Sequence, residues 1–276
     1  MITYNSRFLT RGEIWFDEEP DHRGLDWLLY NQRSRPVPGA KWKYFHSLLL
    51  DLAGPDELLA QMNKDTVYKI RRARDKDKVI CAVCGSRDAA ALDAFEEMYN
   101  RFAAVKGLSP LERPRLNSLA ATGNLDLSVA KDAHDAPLVY HAYYRNSHRT
   151  TLLFSASRFR ELADSAARNA IGRANRYLFW TDMLRSKELG LEYFDFGGWY
   201  PGTTDAGLLK INEFKKGFGG RVVREYQCEQ ILSLRGWVVL RAAALLQQCR
   251  SLTRREHSEA PDSPLPVPEL KTNTNA

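Results

Sequence analysis

The sequence predicts a mixed α+β fold, with a central mixed sheet that contains an antiparallel meander and is flanked by helices. Apolar residues recur at three- and four-residue spacing over 89–106 and 165–189, which indicates two amphipathic helices. Three strand-like segments, 125–131, 137–144 and 150–155, follow one another with tight turns between them, which predicts the meander. Helices and strands alternate on either side of it, which is typical of a sheet covered by helices.

The remaining elements are read from local signals along the chain. Residues 1–41 have weak periodicity and are predicted to be irregular, with one short strand at 13–16. Gly190 directly follows the second long helix and is expected to end it. The shorter segments are predicted as helices at 57–62, 67–76, 115–121, 206–216 and 237–250, and as strands at 42–52, 79–84, 191–196, 221–226 and 230–234.

This order of elements predicts one main domain. The domain is expected to span 42–234, after an irregular N-terminal segment. A C-terminal helix follows at 235–256, and its apolar front and basic end allow a peripheral association with membranes, although packing on the domain or on a second subunit is favoured. Residues 257–276 contain four prolines and no apolar periodicity, so they are predicted to form a disordered tail.

Composition excludes several classes of protein. Hydrophobic residues make up 44% of the 276 residues and charged residues 27%, which are ordinary values for a globular domain. The longest apolar run, 237–246, is about half the length that a membrane-spanning helix needs. The N-terminal residues lack the apolar core of a signal peptide, so we expect a cytoplasmic protein.

The cysteines do not indicate a metal site. There are four, too few for a disulfide scaffold. Cys81 and Cys84 form a C-x-x-C, but they lie in a predicted strand, where residues three apart point to opposite faces. No second cysteine or histidine pair completes a zinc site, so both are predicted to be packing residues and no metal is expected.

The charge favours an anionic partner. The formal net charge is +6, which suits a nucleotide, a phosphate, tRNA or an acidic membrane surface, without choosing among them. The segment 64–78 concentrates this charge, with seven cations and three carboxylates. It is interpreted as a solvated helix face that adds electrostatic steering.

Two glycine-rich motifs and a helix motif carry a family resemblance. A strand that ends in Asp51-Leu52 is followed by the pattern K-x-T-x-x-x-I-R-x-A at 64–73. After the helix that ends at Gly190 come F-D-F-G-G at 194–198 and F-K-K-G-F-G-G at 214–220. Over 42–234 the chain resembles the FemAB-like branch of the GNAT acyltransferases, which includes the peptidoglycan bridge-forming aminoacyltransferases and the BioF2-like acetyltransferases.

The resemblance implies a GNAT-like fold and the transfer of an acyl group to an amine. The donor it implies is acyl-CoA, and the acceptor is a small molecule or a cell-envelope sugar or peptide precursor. The chain has one full lobe and no helical arm, which favours the smaller BioF2-like class over the bridge-forming enzymes. An aminoacyl-tRNA donor and a degenerate GNAT scaffold that acts as a binding protein remain the alternatives; no DNA partner is expected.

A donor-binding segment is expected near the start of the second long helix. The GNAT pyrophosphate signature, [Q/R]-x-x-G-x-[G/A], appears as Asn169, Gly172 and Ala174, with asparagine in the first position. Backbone amides there, together with Arg173 and Arg176, are predicted to cradle a pyrophosphate. The alternative is that these arginines form the solvated face of a helix.

Three residues are the candidates for the reacting centre. His141 lies in the middle strand of the meander, where GNAT enzymes often place a base, and Asp195 lies near the end of a strand. The resemblance puts Lys215 beside the donor phosphate or the reacting carbonyl, where its charge would stabilise an anion. The alternatives are a hydrogen-bonded structural histidine and an ordinary helix C-terminus with its lysine and glycine.

Aromatic residues are the candidates for the substrate pocket. Tyr143 follows His141 by two residues, and Trp199 and Tyr200 follow the first glycine motif. Phe214 precedes the lysine of the second motif. The alternative for each is a place in the apolar core, which is the commoner fate of an aromatic side chain.

Overall fold

The computed structural model describes residues 1–6, 8–85 and 87–243, which form one large sheet with helices on both faces. The strands are β1 (Ile2–Ser6), β2 (Leu9–Trp15), β3 (Trp27–Arg33), β4 (Lys41–Asp51), β5 (Ile80–Cys84), β6 (Leu125–Lys131), β7 (Pro137–Arg145), β8 (Arg149–Ser157), β9 (Tyr193–Gly198) and β10 (Arg221–Ile231). The helices are α1 (Pro55–Gln61), α2 (Lys64–Asp75), α3 (Ala89–Lys106), α4 (Arg113–Ala121), α5 (Ser165–Glu188) and α6 (Ala206–Lys216).

The sheet has ten strands in the order β1-β2-β3-β10-β4-β9-β8-β7-β6-β5. The pairs β2–β3 and β8–β9 are parallel, and the other neighbours are antiparallel. The predicted mixed sheet and its meander, β6-β7-β8, are therefore confirmed.

The N-terminal segment is not irregular. Three strands, β1, β2 and β3, lie within residues 1–41, and β3 pairs with β10, so the sheet begins at Ile2 and not at residue 42. The prediction of a single short strand at 13–16 is wrong because these strands depend on distant partners. Trp15 stacks on Tyr144 of β7 at 4.2 Å, and Ser118 of α4 donates a hydrogen bond to the Thr3 carbonyl at 2.8 Å.

The two strands predicted at 221–226 and 230–234 are one strand, β10. A register shift between Tyr226 and Cys228 lets the strand continue past the expected break. Residues 234–243 are helical, so the C-terminal helix begins three residues before its predicted start. The rest of that helix and the predicted disordered tail lie outside the described residues.

Local signals place the two long helices correctly. Asp88 and Asp164 cap α3 and α5 by accepting hydrogen bonds from backbone amides of the first turn. Gly190, with a φ of +82°, directly follows the C-cap of α5, in the left-handed region that glycine adopts at low cost. These boundaries agree with the sequence prediction to within a residue.

Each face of the sheet has its own core. Helices α3 and α4 cover one face with Phe95, Met98, Leu116 and other apolar residues, which pack on β6 and β7 and on β1 and β2. Helices α1, α2 and α5 and the C-terminal part of α6 cover the other face, where a cluster of phenylalanines is buried. That cluster comprises Phe179, Phe194, Phe196 and Phe218.

The parallel strands β8 and β9 separate near the middle of the sheet. They pair from Arg149 and Tyr193 to Thr151 and Asp195, and no further pairing joins them in the described chain. Gly197 lies beyond this point with a φ of +70°, and a Cβ on it would stand 2.8 Å from the Leu152 carbonyl oxygen. Only glycine therefore fits this backbone without strain.

Candidate active site

A cavity of about 240 Å³ lies where β8 and β9 separate. It is on the sheet face that α3 and α4 cover. The strands that separate contribute one side of it, and the N-terminal strands, β4, β10 and α4 contribute the other. Its lining residues are Trp15, Asn31, Gln32, Phe45, Arg115, Thr151, Leu152, Leu153, Gly197, Gly198 and Gln227.

Asp195 lies fully buried beside this cavity. Its carboxylate accepts hydrogen bonds from Gln32 Nε2 at 2.5 Å, from the Gly197 amide at 2.7 Å and from Arg149 Nη2. A buried carboxylate needs such partners because burial without them costs several kcal/mol. Asp195 therefore fixes the backbone at the point where the strands separate.

Arg149 joins Asp195 to a second carboxylate, that of the partly buried Glu225. Its Nη1 donates to Glu225 Oε1 at 2.5 Å, and its Nη2 donates to Glu225 Oε2 at 3.0 Å. Burial disfavours its charge, but the hydrogen bonds to Glu225 and the charge of Asp195 outweigh burial and raise the pKa of Arg149. The guanidinium is therefore a permanent cation between two carboxylates.

Gln32 is held in an unusual conformation to reach this cluster. It lies near the end of β3 with a φ of +56°, in the left-handed region that non-glycine residues rarely adopt. Such backbone strain persists where the surrounding structure imposes it, and it is concentrated at functional sites.

Lys215 approaches the same point from the opposite face of the sheet. It lies in the last turn of α6, is 9% exposed, and donates from Nζ to the Gly198 carbonyl oxygen at 2.5 Å. Burial lowers the pKa of Lys215 to about 8, although the charge of Asp195 opposes this shift. Lys216, the next residue, is exposed, as expected for a neighbour on a helix.

The structure thus brings two of the three predicted reacting residues together. Gly198, which accepts the hydrogen bond from Lys215, and Gln32, which donates to Asp195, line the same cavity. An ammonium group with a pKa of about 8, bonded to the carbonyl of a residue that lines the cavity, is suited to stabilising an oxyanion or to exchanging a proton.

His141 is held in a different place. Its ring is fully buried between β7 and α5, with Nδ1 2.8 Å from Asp182 Oδ2 and Nε2 2.7 Å from Asn175 Oδ1. The Tyr143 hydroxyl donates to the same Asp182 oxygen at 2.7 Å. Because side chains engage both ring nitrogens, this geometry favours the alternative of a hydrogen-bonded structural histidine over a catalytic base.

We expect His141→Phe to lower stability without abolishing activity. The substitution leaves Asp182 and Asn175 without their ring partners, and each unsatisfied buried polar group costs about 1–3 kcal/mol. Denaturant unfolding should therefore show a loss of about 2–5 kcal/mol. Turnover by the folded fraction should stay within about tenfold of the parent; a loss of the 10²–10⁴-fold typical of a removed general base would restore the catalytic role.

The predicted pyrophosphate cradle is wrong. Asn169, Gly172 and Ala174 lie inside α5, where the amides bond to carbonyls one turn earlier and are not free for a ligand. Arg173 pairs with Asp77 through contacts of 2.5 and 3.1 Å, and the Arg176 guanidinium lies 4.5 Å from the centre of the Phe214 ring. The signature fails because its first residue is already five positions into the helix.

The predicted substrate-binding aromatics are dispersed. Tyr143 is buried, and its bond to Asp182, together with burial, raises its pKa well above the usual value. Phe214 packs against Phe179 of α5 and against Phe218, which follows α6. Trp199 and Tyr200 are half-buried in the loop after β9, one and two residues past Gly198. None of these four lines the cavity beside Asp195.

Sequence reasoning missed most of the polar groups at the cavity. Gln32 and Asn31 come from the segment predicted to be irregular, and Arg149 and Glu225 carry no motif. A polar N-Q-R end on the strand W-L-L-Y-N-Q-R was the available signal. The charged side chains of Arg149 and Glu225 were a weaker signal, since charged residues in or beside a strand also occur on solvated faces.

Two other features bear on the class of site. Among the described residues, no group of three or more histidine, cysteine, aspartate or glutamate side chains is arranged to hold a metal ion. Cys81 and Cys84 are free thiols, and burial raises the pKa of both. Within the same residues, no helix combines the length and the apolar character that crossing a bilayer requires.

Comparison with known proteins supports the fold. No family model matches the sequence, and no curated protein matches it. FemX is similar in structure, with a TM-score of 0.55 and 14% identity over 68% of this chain; the match spans 61% of the FemX chain.

Two further solved structures cover more of the chain. L-PGS from Bacillus licheniformis has a TM-score of 0.51 and 12% identity over 83% of this chain and 81% of its own. The C-terminal DUF2156 domain of an Agrobacterium fabrum protein named as a lysylphosphatidylglycerol synthetase has a TM-score of 0.50 and 15% identity, over 88% and 85%. With its mixed sheet and flanking helices, the protein has the GNAT-like fold that these structures share.

Proposed function

We propose that this protein is an acyltransferase that forms an amide between an acyl donor and an amine acceptor. The observation that carries the proposal is the buried ammonium of Lys215 at the point where β8 and β9 separate, next to a cavity. The GNAT-like fold and the F-K-K-G-F-G-G motif support it. The resemblance of the two motifs to the FemAB-like branch supports a member of that branch, and we propose the BioF2-like class within it.

The chemistry needs a cation at the carbonyl oxygen. The amine nitrogen attacks the acyl carbon, the carbonyl oxygen becomes an oxyanion, and the bond from the acyl carbon to the leaving group then breaks. Lys215 supplies the charge that stabilises the oxyanion, an effect typically worth 10²–10³-fold in rate for one donor. With a thioester donor, the departing thiolate, whose thiol pKa is about 8.5, is basic enough to take the proton that the amine loses.

We propose acyl-CoA as the donor. The separated edges of β8 and β9 leave backbone groups unpaired by the sheet, and on the face from which Lys215 approaches these suit the amide groups of an extended acyl-CoA arm. The acceptor is then an amine on a small molecule or a cell-envelope precursor, and the reaction takes place in the cytoplasm.

A second donor, aminoacyl-tRNA, is favoured by one observation. Helix α2 exposes cations along one side, including Lys64, Arg71 and Arg72, and the exposed Tyr68 lies among them. A basic surface with an aromatic side chain suits a nucleic acid, whose binding would weaken steeply with salt.

Thermal unfolding of the protein with a panel of acyl-CoA species and tRNA tests both proposed donors. A ligand present at 100 times its Kd stabilises the folded state by about 2.7 kcal/mol. For a protein of this size we expect a rise in Tm of about 4 °C or more with the correct acyl-CoA. Free CoA serves as the control for the acyl group, and charged and uncharged tRNA serve as the controls for the second donor.

A binding scaffold without catalysis gives a different result. It would bind a donor or a partner without forming an amide when amines are added. Release of free thiol from acyl-CoA, dependent on protein and amine, is the measurement that separates the two. Stabilisation by a donor with no thiol release for any amine in a broad panel would contradict the enzymatic proposal.

A further inference from the structure

We infer that the cavity beside Asp195 is an acceptor subsite that binds an uncharged N-acylamino group, as found in acylated amino sugars and in peptides. The inference rests on the proposed function, because it assigns the cavity to the acceptor of that reaction. It is carried by Arg115, the three amide side chains and the aromatic walls of the cavity.

Arg115 offers a hydrogen-bond donor to the cavity. Its Nε and Nη2 donate to the two carboxylate oxygens of Glu13 at 2.7 and 2.8 Å, and the Glu13 side chain is 4% exposed. Tyr4 donates to the same carboxylate at 2.6 Å. No described residue accepts from Arg115 Nη1, which leaves that nitrogen for a ligand oxygen.

The amide side chains supply the acceptors. Gln227 Nε2 donates to Asn31 Oδ1 at 3.2 Å, and Gln32 Nε2 donates to Asp195. In this arrangement the side-chain oxygens of Gln227 and Gln32 have no donor among the described residues. A ligand N–H has two acceptors within reach of the same cavity.

The charges at the cavity are already paired. Glu13 pairs with Arg115, and the carboxylates of Asp195 and Glu225 are balanced by Arg149 together with the Lys215 ammonium, so a charged ligand group would add a charge without a partner. An amide presents one carbonyl oxygen and one N–H and carries no charge, which matches the donor and the acceptors present.

The size and walls of the cavity set the rest of the ligand. A volume of about 240 Å³ is below the roughly 300 Å³ at which pockets for drug-sized ligands begin, so one residue-sized group fits and a whole precursor does not. Trp15 and Phe45 provide apolar walls for the acyl methyl and for a flat sugar or aliphatic face. Gly197 and Gly198 line the side of the cavity that is nearest Lys215. The reacting amine of the acceptor therefore lies at this side of the cavity.

Binding without a donor is the direct test. Ligand titrations followed by NMR should use N-acetylglucosamine and N-acetylalanine N-methylamide, with acetate, ethylammonium and glucose as controls. We expect both acylamino probes to perturb signals of Asn31, Gln32 and Gln227, and the charged probes to leave them unchanged. The tighter of the two binders identifies the source as a sugar or a peptide.

Matched variants locate the contacts. Gln227→Met keeps the side-chain shape and removes the acceptor, and the double variant Arg115→Met with Glu13→Gln removes the donor without leaving a buried charge. Each should weaken the acylamino probes about fivefold or more, the effect of losing one hydrogen bond. Gln61→Met, at an exposed position on α1, should leave binding unchanged.

The outcomes separate this inference from the proposed function. It is overturned if neither acylamino probe perturbs the cavity, if acetate or ethylammonium binds as well, or if the variants bind as the parent does. If these variants still transfer the acyl group and their KM for the acceptor is unchanged, the subsite inference is overturned and the proposed acyltransferase function stands. Probe binding in the cavity of a protein that transfers no acyl group supports the subsite and contradicts the function.

Discussion

Replacing Lys215 by methionine should slow acyl transfer by about 10²-fold or more, the scale for losing one electrostatic stabiliser of an oxyanion. Methionine keeps an unbranched stem in the packed space that Lys215 occupies at the end of α6. The loss should therefore appear in kcat with the protein folded. Steady-state kinetics with the donor identified by thermal unfolding is the measurement.

The same substitution should preserve or raise stability. The pKa of Lys215 is about 8 in the folded protein against a usual value of 10.5, so below pH 8 the folded state carries a disfavoured buried charge. That shift corresponds to at most about 3 kcal/mol, reduced by the lost hydrogen bond to Gly198. The difference in Tm between variant and parent should shrink as pH rises from 8 to 10.5, where the lysine becomes neutral in both states.

The pH dependence of the parent follows from the same pKa. If Lys215 acts as a cation, turnover should fall as pH rises through about 8, because the ammonium loses its proton. Lys216→Met is the internal control, since Lys216 is exposed and should change neither turnover nor this limb of the profile. An equal loss in both variants, or no loss in either, would remove the second glycine motif from the mechanism.

Replacing Arg149 by methionine should be the most destabilising single change at the site. It removes the cation that Asp195 and Glu225 share and leaves a fully buried and a partly buried carboxylate close together. Breaking a buried ion pair from one side typically costs about 3–5 kcal/mol. Urea unfolding at neutral pH should show a loss of this size, and addition of Glu225→Gln should recover part of it by removing one of the two charges.

A surface pair provides the comparison. Arg221 contacts Asp51 with both side chains more than half exposed, and such pairs contribute about 0–1 kcal/mol. Arg221→Met should therefore leave the unfolding midpoint nearly unchanged. If Arg149→Met costs no more than Arg221→Met, the buried cluster does not hold β8 and β9 in their separated arrangement.

The fold could be predicted where the signal is local. The periodicity of α3 and α5, their aspartate caps and Gly190 each depend on residues only a few positions apart. Those helices and the meander could therefore be predicted from the sequence. The strands of the first 41 residues were missed because each is only five to seven residues long and because β10, β7 and α4, which stabilise them, come from far along the sequence.

The candidate site divides in the same way. Lys215 and Asp195 were found because each lies in a glycine-rich motif with fixed spacing, and the structure brings them to one point. The role of His141 could not be assigned from sequence, because a histidine in a strand looks the same whether it faces a cavity or Asp182, 41 residues along the chain. The donor signature matched in residue types but lies inside α5, where the backbone amides are hydrogen-bonded within the helix.

The sequence by itself determined the amphipathic helices, the meander and the two glycine motifs, since all of these depend on neighbours within a few residues. The tertiary structure alone decided that β8 and β9 separate, that Gln32 from β3 reaches Asp195 across 163 residues, and that Arg149 stands between two carboxylates. Burial and long-range pairing set these features, and both are properties of the packed chain that no local pattern of residue types encodes.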